Sequence, residues 1–399
     1  MNRRRGIYNR GNNCFINSTL QCLAVSPFII NFLDNYSNND LKLINTINKY
    51  DLGKFKSDKI NLECDKILKH DEDNKSNPNY THIDETDVEN LKYISKNNKL
   101  LYIYISFKEI IKNLNNGSPE IIDNTMFVSI NKEMSEHYGF DYLFNGDQND
   151  PHELMVYLLD KLHDSKKKTI QISEPINLEG LDLYSKLFYE NYKKNYEKNY
   201  SLFVKNYYYY MLSCVQCNKC KNITHDVSPS DILCISIPNP ETDPIENSDD
   251  INIYDCLNNM FKLENIQYCC EKCNNMENNI IEKKIMNAPK TLIIKIKKYY
   301  SSGNRLIKSN LFIKYPQVLD MMPYIICDNN QQYELYGVIN HVGIFGSGHY
   351  YSYIKKYNRK TNKFLNQWYC CNDSNVTEIP IEEALSSQNA YILFYHYIE

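Results

Sequence analysis

No run of ~18 apolar residues occurs in this 399-residue chain, so nothing in it reads as a membrane-spanning helix. The basic start, Met1-Asn2-Arg3-Arg4-Arg5-Gly6, is not followed by the apolar stretch a secretory signal needs. Charge of neither sign is in excess: 45 Lys and Arg face 49 Asp and Glu, a formal net charge of -4. That balance gives no nucleic-acid footprint, and 42% hydrophobic with 24% charged residues excludes a disordered chain. No internal repeat is visible. Without a secretory context the 14 cysteines do not read as a disulfide framework; reduced thiols and bound metal fit better. The expectation is a soluble, monomeric, cytoplasmic or nuclear protein with no membrane or nucleic-acid partner.

What is present begins with helical spacing from Cys14 to Leu33, with Ile16, Leu20, Leu23 and Ala24 on one face and an interruption at Ser26-Pro27. Cys14 therefore sits near a helix N-terminus. From about 35 to 98 the chain is rich in Asn, Asp, Lys and Ser and reads as a polar insertion, partly disordered and without chemistry; 165 to 206 is a second such stretch. Between them Leu154, Met155, Leu158, Leu159 and Leu162 predict a buried helix that Asp150-Pro151 would cap and start. The run Tyr207 to Tyr210 carries no chemical signal. The last third holds strand-like runs such as Leu292 to Ile296, Leu335 to Ile339, His349 to Ile354 and Tyr391 to Tyr395. Helices first and strands later predict an α+β fold.

Cys214-Val215-Gln216-Cys217 and Cys270-Glu271-Lys272-Cys273 are two pairs whose two-residue spacing lets both thiolates face one ion. Four sulfurs predict a closed, structural zinc site at the ends of two β-excursions. Cys220 and Cys269 lie close enough for either to replace a neighbour.

Cys14 lies in Gly6-Ile7-Tyr8-Asn9-Arg10-Gly11-Asn12-Asn13-Cys14, where Gly and Asn let the backbone turn sharply before the helix. The positive end of the helix dipole and a nearby imidazolium favour the thiolate, the attacking form. Asn9 offers an amide donor toward a developing oxyanion. His349 is the best-placed base, with Gly343, Gly346, Ser347 and Gly348 before it and an alternating strand after it. His341 ends the preceding strand and reads as structural, while His152 and His163 ride a helix. After Trp368-Tyr369-Cys370-Cys371, either Asn372 or Asp373 can hold the imidazole in one tautomer.

With Cys14, His349 and Asn372-Asp373 in that order and a cysteine module between, the sequence resembles a ubiquitin-specific protease catalytic domain over nearly its whole length. Gly6 to Gln21 resembles the family's Cys box, Gln148-Asn149-Asp150-Pro151-His152-Glu153-Leu154 its second motif, and Tyr333 to Tyr395 its His box. The resemblance implies a papain-like right hand: a helical thumb over about 6–200, zinc-tipped β fingers over about 203–290 and a β palm over about 290–398, together one domain spanning 6–398. It implies a thiol-dependent deubiquitinase that cuts after the C-terminal glycine of ubiquitin, with Cys14 as nucleophile, His349 as base, Asn372 orienting it, Asp373 assisting and Asn9 serving the oxyanion. Gln148, Asp150, Glu153 and Gly348 would meet ubiquitin's tail. Asn13, Asn149, Cys371 and Lys298-Tyr299 depart from the usual Thr, Gln, aromatic and Arg-Phe without removing a reacting group. A catalytically silent ubiquitin-binding module and a protease for a ubiquitin-like modifier are the alternatives.

Overall fold

The computed structural model describes residues 4–35, 37–52, 57–78, 80–175, 177, 180–238, 251–274, 276, 278–302, 305–326, 331–344 and 347–398. Gly346 lies outside them. Helices come first. Cys14–Ala24 (α1) and Pro27–Asn35 (α2) divide where Ser26-Pro27 predicted, Pro27 taking a first-turn position at which its missing N–H costs no hydrogen bond. The helix α1 is buried along its whole length rather than on one face. Its polar residues bond inward: Gln21 donates to the Arg5 carbonyl at 2.7 Å and Thr19 to the Phe15 carbonyl at 2.8 Å.

The stretch read as a polar insertion holds Ser37–Lys49 (α3), Ser57–Asp73 (α4) and the start of Glu85–Asn115 (α5), which kinks at Asn97. Leu43 and Ile47, Ile60 and Cys64, and Leu91 and Ile94 meet with Leu52 and Leu101 in a small core of their own. Apolar residues are sparse here, but their spacing of three or four is helical, so burial wins over composition. Thr125–Ser135 (α6), Pro151–Lys166 (α7), Leu183–Tyr196 (α8) and Leu202–Tyr207 (α9) complete the helical half. As predicted, Asp150 caps α7, accepting from the His152 N–H at 2.9 Å, with Pro151 at the first turn.

Strands follow: Tyr209–Gln216 (β1), Ile223–Ser230 (β2) and Ile232–Ser236 (β3), then helix Ile253–Phe261 (α10), Glu264–Gln267 (β4), Asn278–Ile285 (β5) and Thr291–Lys297 (β6). Next come Tyr299–Ser302 (β7), Arg305–Lys308 (β8), Val318–Asp320 (β9), Gln332–Ile344 (β10), Ser347–Asn358 (β11), Lys363–Asn372 (β12) and Asn375–Ile379 (β13). Helix Ile381–Leu385 (α11) and Ala390–Tyr397 (β14) close the chain. One sheet, β2-β1-β5-β4, forms the fingers; a larger one, β13-β12-β11-β10-β14-β6-β3 with β9 on β10, forms the palm, and β7 pairs β8. Along β6 and β14, Ile293 and Phe394 face the core shared with α1 and α7, while Leu292, Ile294, Leu393 and Tyr395 face a second core. Burial on both faces is why these strands read as continuous apolar runs. Among the described residues no single helix is long and apolar enough to cross a membrane.

Candidate active site

Cys14 is the first residue of α1 and only 2% exposed. The turn before it is built as the sequence predicted: Gly11 and Asn12 take φ of 120° and 54°, and the side-chain Oδ1 of Asn9 accepts from the Gly11 and Asn13 N–H groups at 3.1 and 3.0 Å. That turn aims the thiol at the palm, against which α1 packs through β10, β11 and β12.

His349 is the third residue of β11, and Asn372 ends β12. Their strands pair antiparallel, and His349 Nε2 lies 2.6 Å from Asn372 Oδ1. An amide oxygen only accepts, so Nε2 carries the proton and Nδ1 is the nitrogen left for the thiol. The imidazole is held well above its ordinary 6.5, at about 9, by its hydrogen bond with Cys14 first and by Asn372 and Asp373 after it, with burial pulling the other way. Its side chain is 40% exposed, so the raised value is a statement about charge at the site and not about fold stability.

The two candidates for the third position separate clearly. Asp373 lies 3.9 Å from His349 Nε2, and its oxygens are engaged elsewhere: Asn9 Nδ2 donates to one at 3.0 Å and Asn17 Nδ2 to the other at 2.8 Å. Its own carbonyl accepts from the Ile7 N–H at 2.8 Å, and Asp373 takes a φ of 51° to do so. Gly6 lies so close to Ser374 that a Cβ there would overlap its carbonyl. Asn372 thus faces the imidazole while Asp373 ties thumb to palm. Asn17 was missed in the sequence; it is 2% exposed and continues the chain of bonds by accepting from Asn124 Nδ2 at 2.7 Å. A polar residue on the buried side of a helix was the available signal.

His341 is structural, as expected: it is buried, its Nδ1 lies 3.1 Å from the Tyr299 hydroxyl, and burial holds its pKa down at about 4. His163 Nδ1 bonds Ser201 Oγ at 2.7 Å, and burial lowers His152 as well. The residues expected to meet a basic tail do converge, around a cavity of about 390 Å³ lined by Gln148, Asp150, Glu153 and Tyr350 among others. Gln148 forms a reciprocal pair with Gly348, donating to its carbonyl and accepting from its N–H, each at 2.9 Å. Beyond capping α7, Asp150 accepts from Lys295 at 2.8 Å and from the Tyr391 hydroxyl at 2.6 Å. Glu153 has no cationic partner among the described residues, so it is the carboxylate freer to take one.

The metal prediction needs one correction. Cys217, Cys220, Cys270 and Cys273 bring their sulfurs within 4.8 Å of one another, and Cys214 is not among them. Cys214 lies inside β1, paired with His225 and Glu282, and packs against the cluster of Tyr196, Val204, Tyr210, Leu212 and Met286. A strand advances ~3.3 Å per residue, which carries residue 214 away from the tip where 217 turns. Cys217 to Cys220 is instead a turn, and it matches Cys270 to Cys273. Lys221 and Asn274, just after the two turns, take φ of 60° and 53°, and each donates its N–H back to the first cysteine's carbonyl, at 2.9 and 2.7 Å. Backbone N–H groups of Cys220 and Lys219 draw the Cys217 thiol down to about 6. The cross-pair distances, 3.7 Å for Cys217–Cys273 and 3.6 Å for Cys220–Cys270, sit beside the ~3.8 Å edge of a tetrahedron with 2.3 Å zinc–sulfur bonds. The four thiols fit such an ion, and none of the described cysteines is in a disulfide.

Residues 5–395 match the family model described as ubiquitin carboxyl-terminal hydrolase. The chain belongs to that family. As a family member it is 28% identical over 279 residues to ubiquitin carboxyl-terminal hydrolase 5 of Saccharomyces cerevisiae, covering 63% of this chain and 32% of that one. It is 24% identical to ubiquitin carboxyl-terminal hydrolase 25 of Arabidopsis thaliana, covering 98% and 47%, and 25% identical to a probable ubiquitin carboxyl-terminal hydrolase of Acanthamoeba polyphaga mimivirus, covering 98% and 89%. The chain thus spans about a third to a half of the length of the first two relatives. In three dimensions it resembles the SAGA Ubp8/Sgf11/Sus1/Sgf73 DUB module bound to ubiquitin aldehyde, with a TM-score of 0.65 at 20% identity over 100% of this chain and 71% of that one. The likeness bears out the α+β right hand with helical thumb, β palm and cysteine-tipped fingers.

Proposed function

We propose that this chain is a thiol-dependent deubiquitinase that hydrolyses the peptide or isopeptide bond after the C-terminal glycine of ubiquitin. The observation that carries the reading is that His349 Nε2 lies 2.6 Å from Asn372 Oδ1, with the Cys14 thiol at the N-terminus of α1 and near enough to the ring to raise its pKa. Cys14 sulfur attacks the glycine carbonyl, and the carbon–oxygen double bond opens to an oxyanion. Asn9 has a second amide hydrogen beyond the one given to Asp373, and that hydrogen serves the oxyanion. The imidazolium then gives its proton to the leaving lysine amine as the carbon–nitrogen bond breaks, leaving a thioester. Neutral His349 next takes a proton from water, whose oxygen attacks the thioester and releases the ubiquitin carboxylate and Cys14. Throughout, Asn372 holds the ring without adding charge.

The cavity bearing Glu153 and Asp150 suits a basic, narrow tail that ends in glycine. At the finger tip a zinc ion held by Cys217, Cys220, Cys270 and Cys273 has a structural role, since four protein sulfurs leave no position for substrate. The test is hydrolysis of ubiquitin carrying a fluorescent C-terminal amide, by wild-type protein and Cys14→Ala side by side. Turnover by the first and none by the second is expected. Equal turnover would remove Cys14 as nucleophile, and no turnover by reduced, zinc-replete wild type would overturn the activity on ubiquitin.

A further inference from the structure

On the far side of α1 from the thiol lies a cavity of about 510 Å³, within the ~300–1,000 Å³ of small-ligand sites. The N-terminal segment and the β11–β12 hairpin supply Arg4, Lys356, Arg359 and Lys360 to its wall, and no carboxylate lines it. In a chain of formal net charge -4 this is a local concentration of positive charge.

Arg4 is the informative member. Its guanidinium is fixed by three bonds to neutral groups: to Gln21 Oε1 at 2.9 Å, to Asn115 Oδ1 at 2.8 Å and to the Gln21 carbonyl at 3.2 Å. Two of its five N–H donors remain. No carboxylate pairs with it among the described residues, and both burial and Arg359 pull its pKa below the ordinary value. Lys360 has no ion-pair partner among the described residues, and Lys356 donates only to the neutral Gln367 oxygen at 3.0 Å. Two carboxylates stand outside the wall: Asp34, 3.8 Å from Arg359 and two-thirds exposed, at the edge of an adjoining cavity that Arg359 also lines, and Glu378, opposite Tyr369 and engaged by Gln367 at 2.8 Å. The last carbonyl of α1, at Ala24, would repel an anion, but Asn115 Nδ2 covers it at 2.9 Å. Solvated turn lysines are ordinary; an ordered, partly buried arginine without a counter-charge beside three further cations is not.

We propose that this cavity binds a compact anion carrying several phosphates, such as a soluble inositol polyphosphate or the headgroup of a phosphoinositide lipid. Arg4 would take one phosphate with its fork and the hairpin cations the others. The test is calorimetric titration of the full chain with inositol hexakisphosphate at low and at physiological salt, and co-sedimentation with phosphatidylcholine vesicles with and without phosphatidylinositol bisphosphate. Saturable binding that weakens with salt is expected, and an Arg359→Ala/Lys360→Ala variant, both exposed in the β11–β12 turn, should bind at least about tenfold more weakly with its melting temperature unchanged. Binding of the soluble phosphate alone identifies a soluble ligand, and binding of the vesicles identifies a headgroup. No binding of either probe overturns the proposal. So does equal binding by wild type and variant, or a Lys59→Ala/Lys66→Ala/Lys69→Ala control on α4 that loses affinity just as much.

Discussion

The division of labour between Asn372 and Asp373 turns on distance and on what each oxygen already does. Asn372 Oδ1 is 2.6 Å from the imidazole and has no other partner among the described residues, whereas Asp373, at 3.9 Å, accepts from Asn9 and Asn17. Removing Asn372 should therefore free the ring, and removing Asp373 should loosen the loop that carries Cys14. Asn372→Ala is expected to lower kcat/KM about 10²-fold, within the range that general acid–base assistance contributes. It should also move the alkaline limb of the pH profile. His349 sits above its ordinary value, so the imidazolium persists from below 6.5 up to about 9 and is lost as pH rises through that value. Asn372 is one of the groups that raise it, so the alanine variant should lose activity at lower pH than wild type. Asp373→Ala removes the smaller of the two contributions to the raised pKa, so it should move the limb the same way but by less, and should lower the melting temperature as well. A pH–rate profile of both variants decides between the roles, and an alkaline limb moved by Asp373→Ala alone would reverse them.

At the scale of elements, the fingers show what spacing can and cannot say. Cys214, Cys217 and Cys220 form two overlapping pairs with the same two-residue gap, so the spacing rule fits both. What chooses is the local chain: Val215-Gln216 continues a strand, whereas Asn218-Lys219 turns and Lys221 accepts a left-handed conformation. Cys220→Ser is expected to abolish the single equivalent of bound zinc and destabilise the finger sheet, while Cys214→Ser keeps the metal; elemental analysis with thermal melts checks both, and zinc lost only in Cys214→Ser would restore the sequence assignment. The same contrast explains the rest of the reading. α1, α7 and the palm strands were legible because their apolar residues are dense and periodic. The helices α3 and α4 were not, because eight apolar side chains in a polar stretch suffice for their small core. Tyr207, Tyr209 and Tyr210 looked like compositional bias and are each buried, in three different cores: Tyr207 against Phe28 and Phe203, Tyr209 in the second core with Leu233 and Ile235, and Tyr210 against Phe188 and Tyr196 of α8. The candidate residues Cys14, His349 and Asn372 were legible from local motifs, but the Asn17–Asn124 link joins positions 107 residues apart and leaves no local pattern.

Across the whole molecule the site exists only while thumb and palm stay together, since Cys14 belongs to one and His349 and Asn372 to the other. Thumb and palm share an apolar core and the bonds from Asp150 to Lys295 and Tyr391, and two further sets of contacts lie nearer the thiol. The first runs from Ile7, Asn9 and Asn17 to Asp373, with Gly6 against Ser374, and its core is buried. The second is the reciprocal Gln148–Gly348 pair, exposed to solvent at the mouth of the cavity. A buried polar group left without its partner costs ~1–3 kcal/mol, whereas exposed ones regain water, so the second set opens far more readily than the first. Under the proposed activity, opening there would admit a chain end to the cleft, because Gly348 directly precedes His349. Gln148→Ala removes both bonds, together ~1–3 kcal/mol at the usual net value, so exchange of the Gly348 amide hydrogen should accelerate about tenfold. The Ile7 amide, bonded to the Asp373 carbonyl, should exchange as in wild type. Residue-resolved hydrogen exchange distinguishes the two: acceleration at Ile7 equal to that at Gly348 would mean that thumb and palm part as one piece, with no preferred edge.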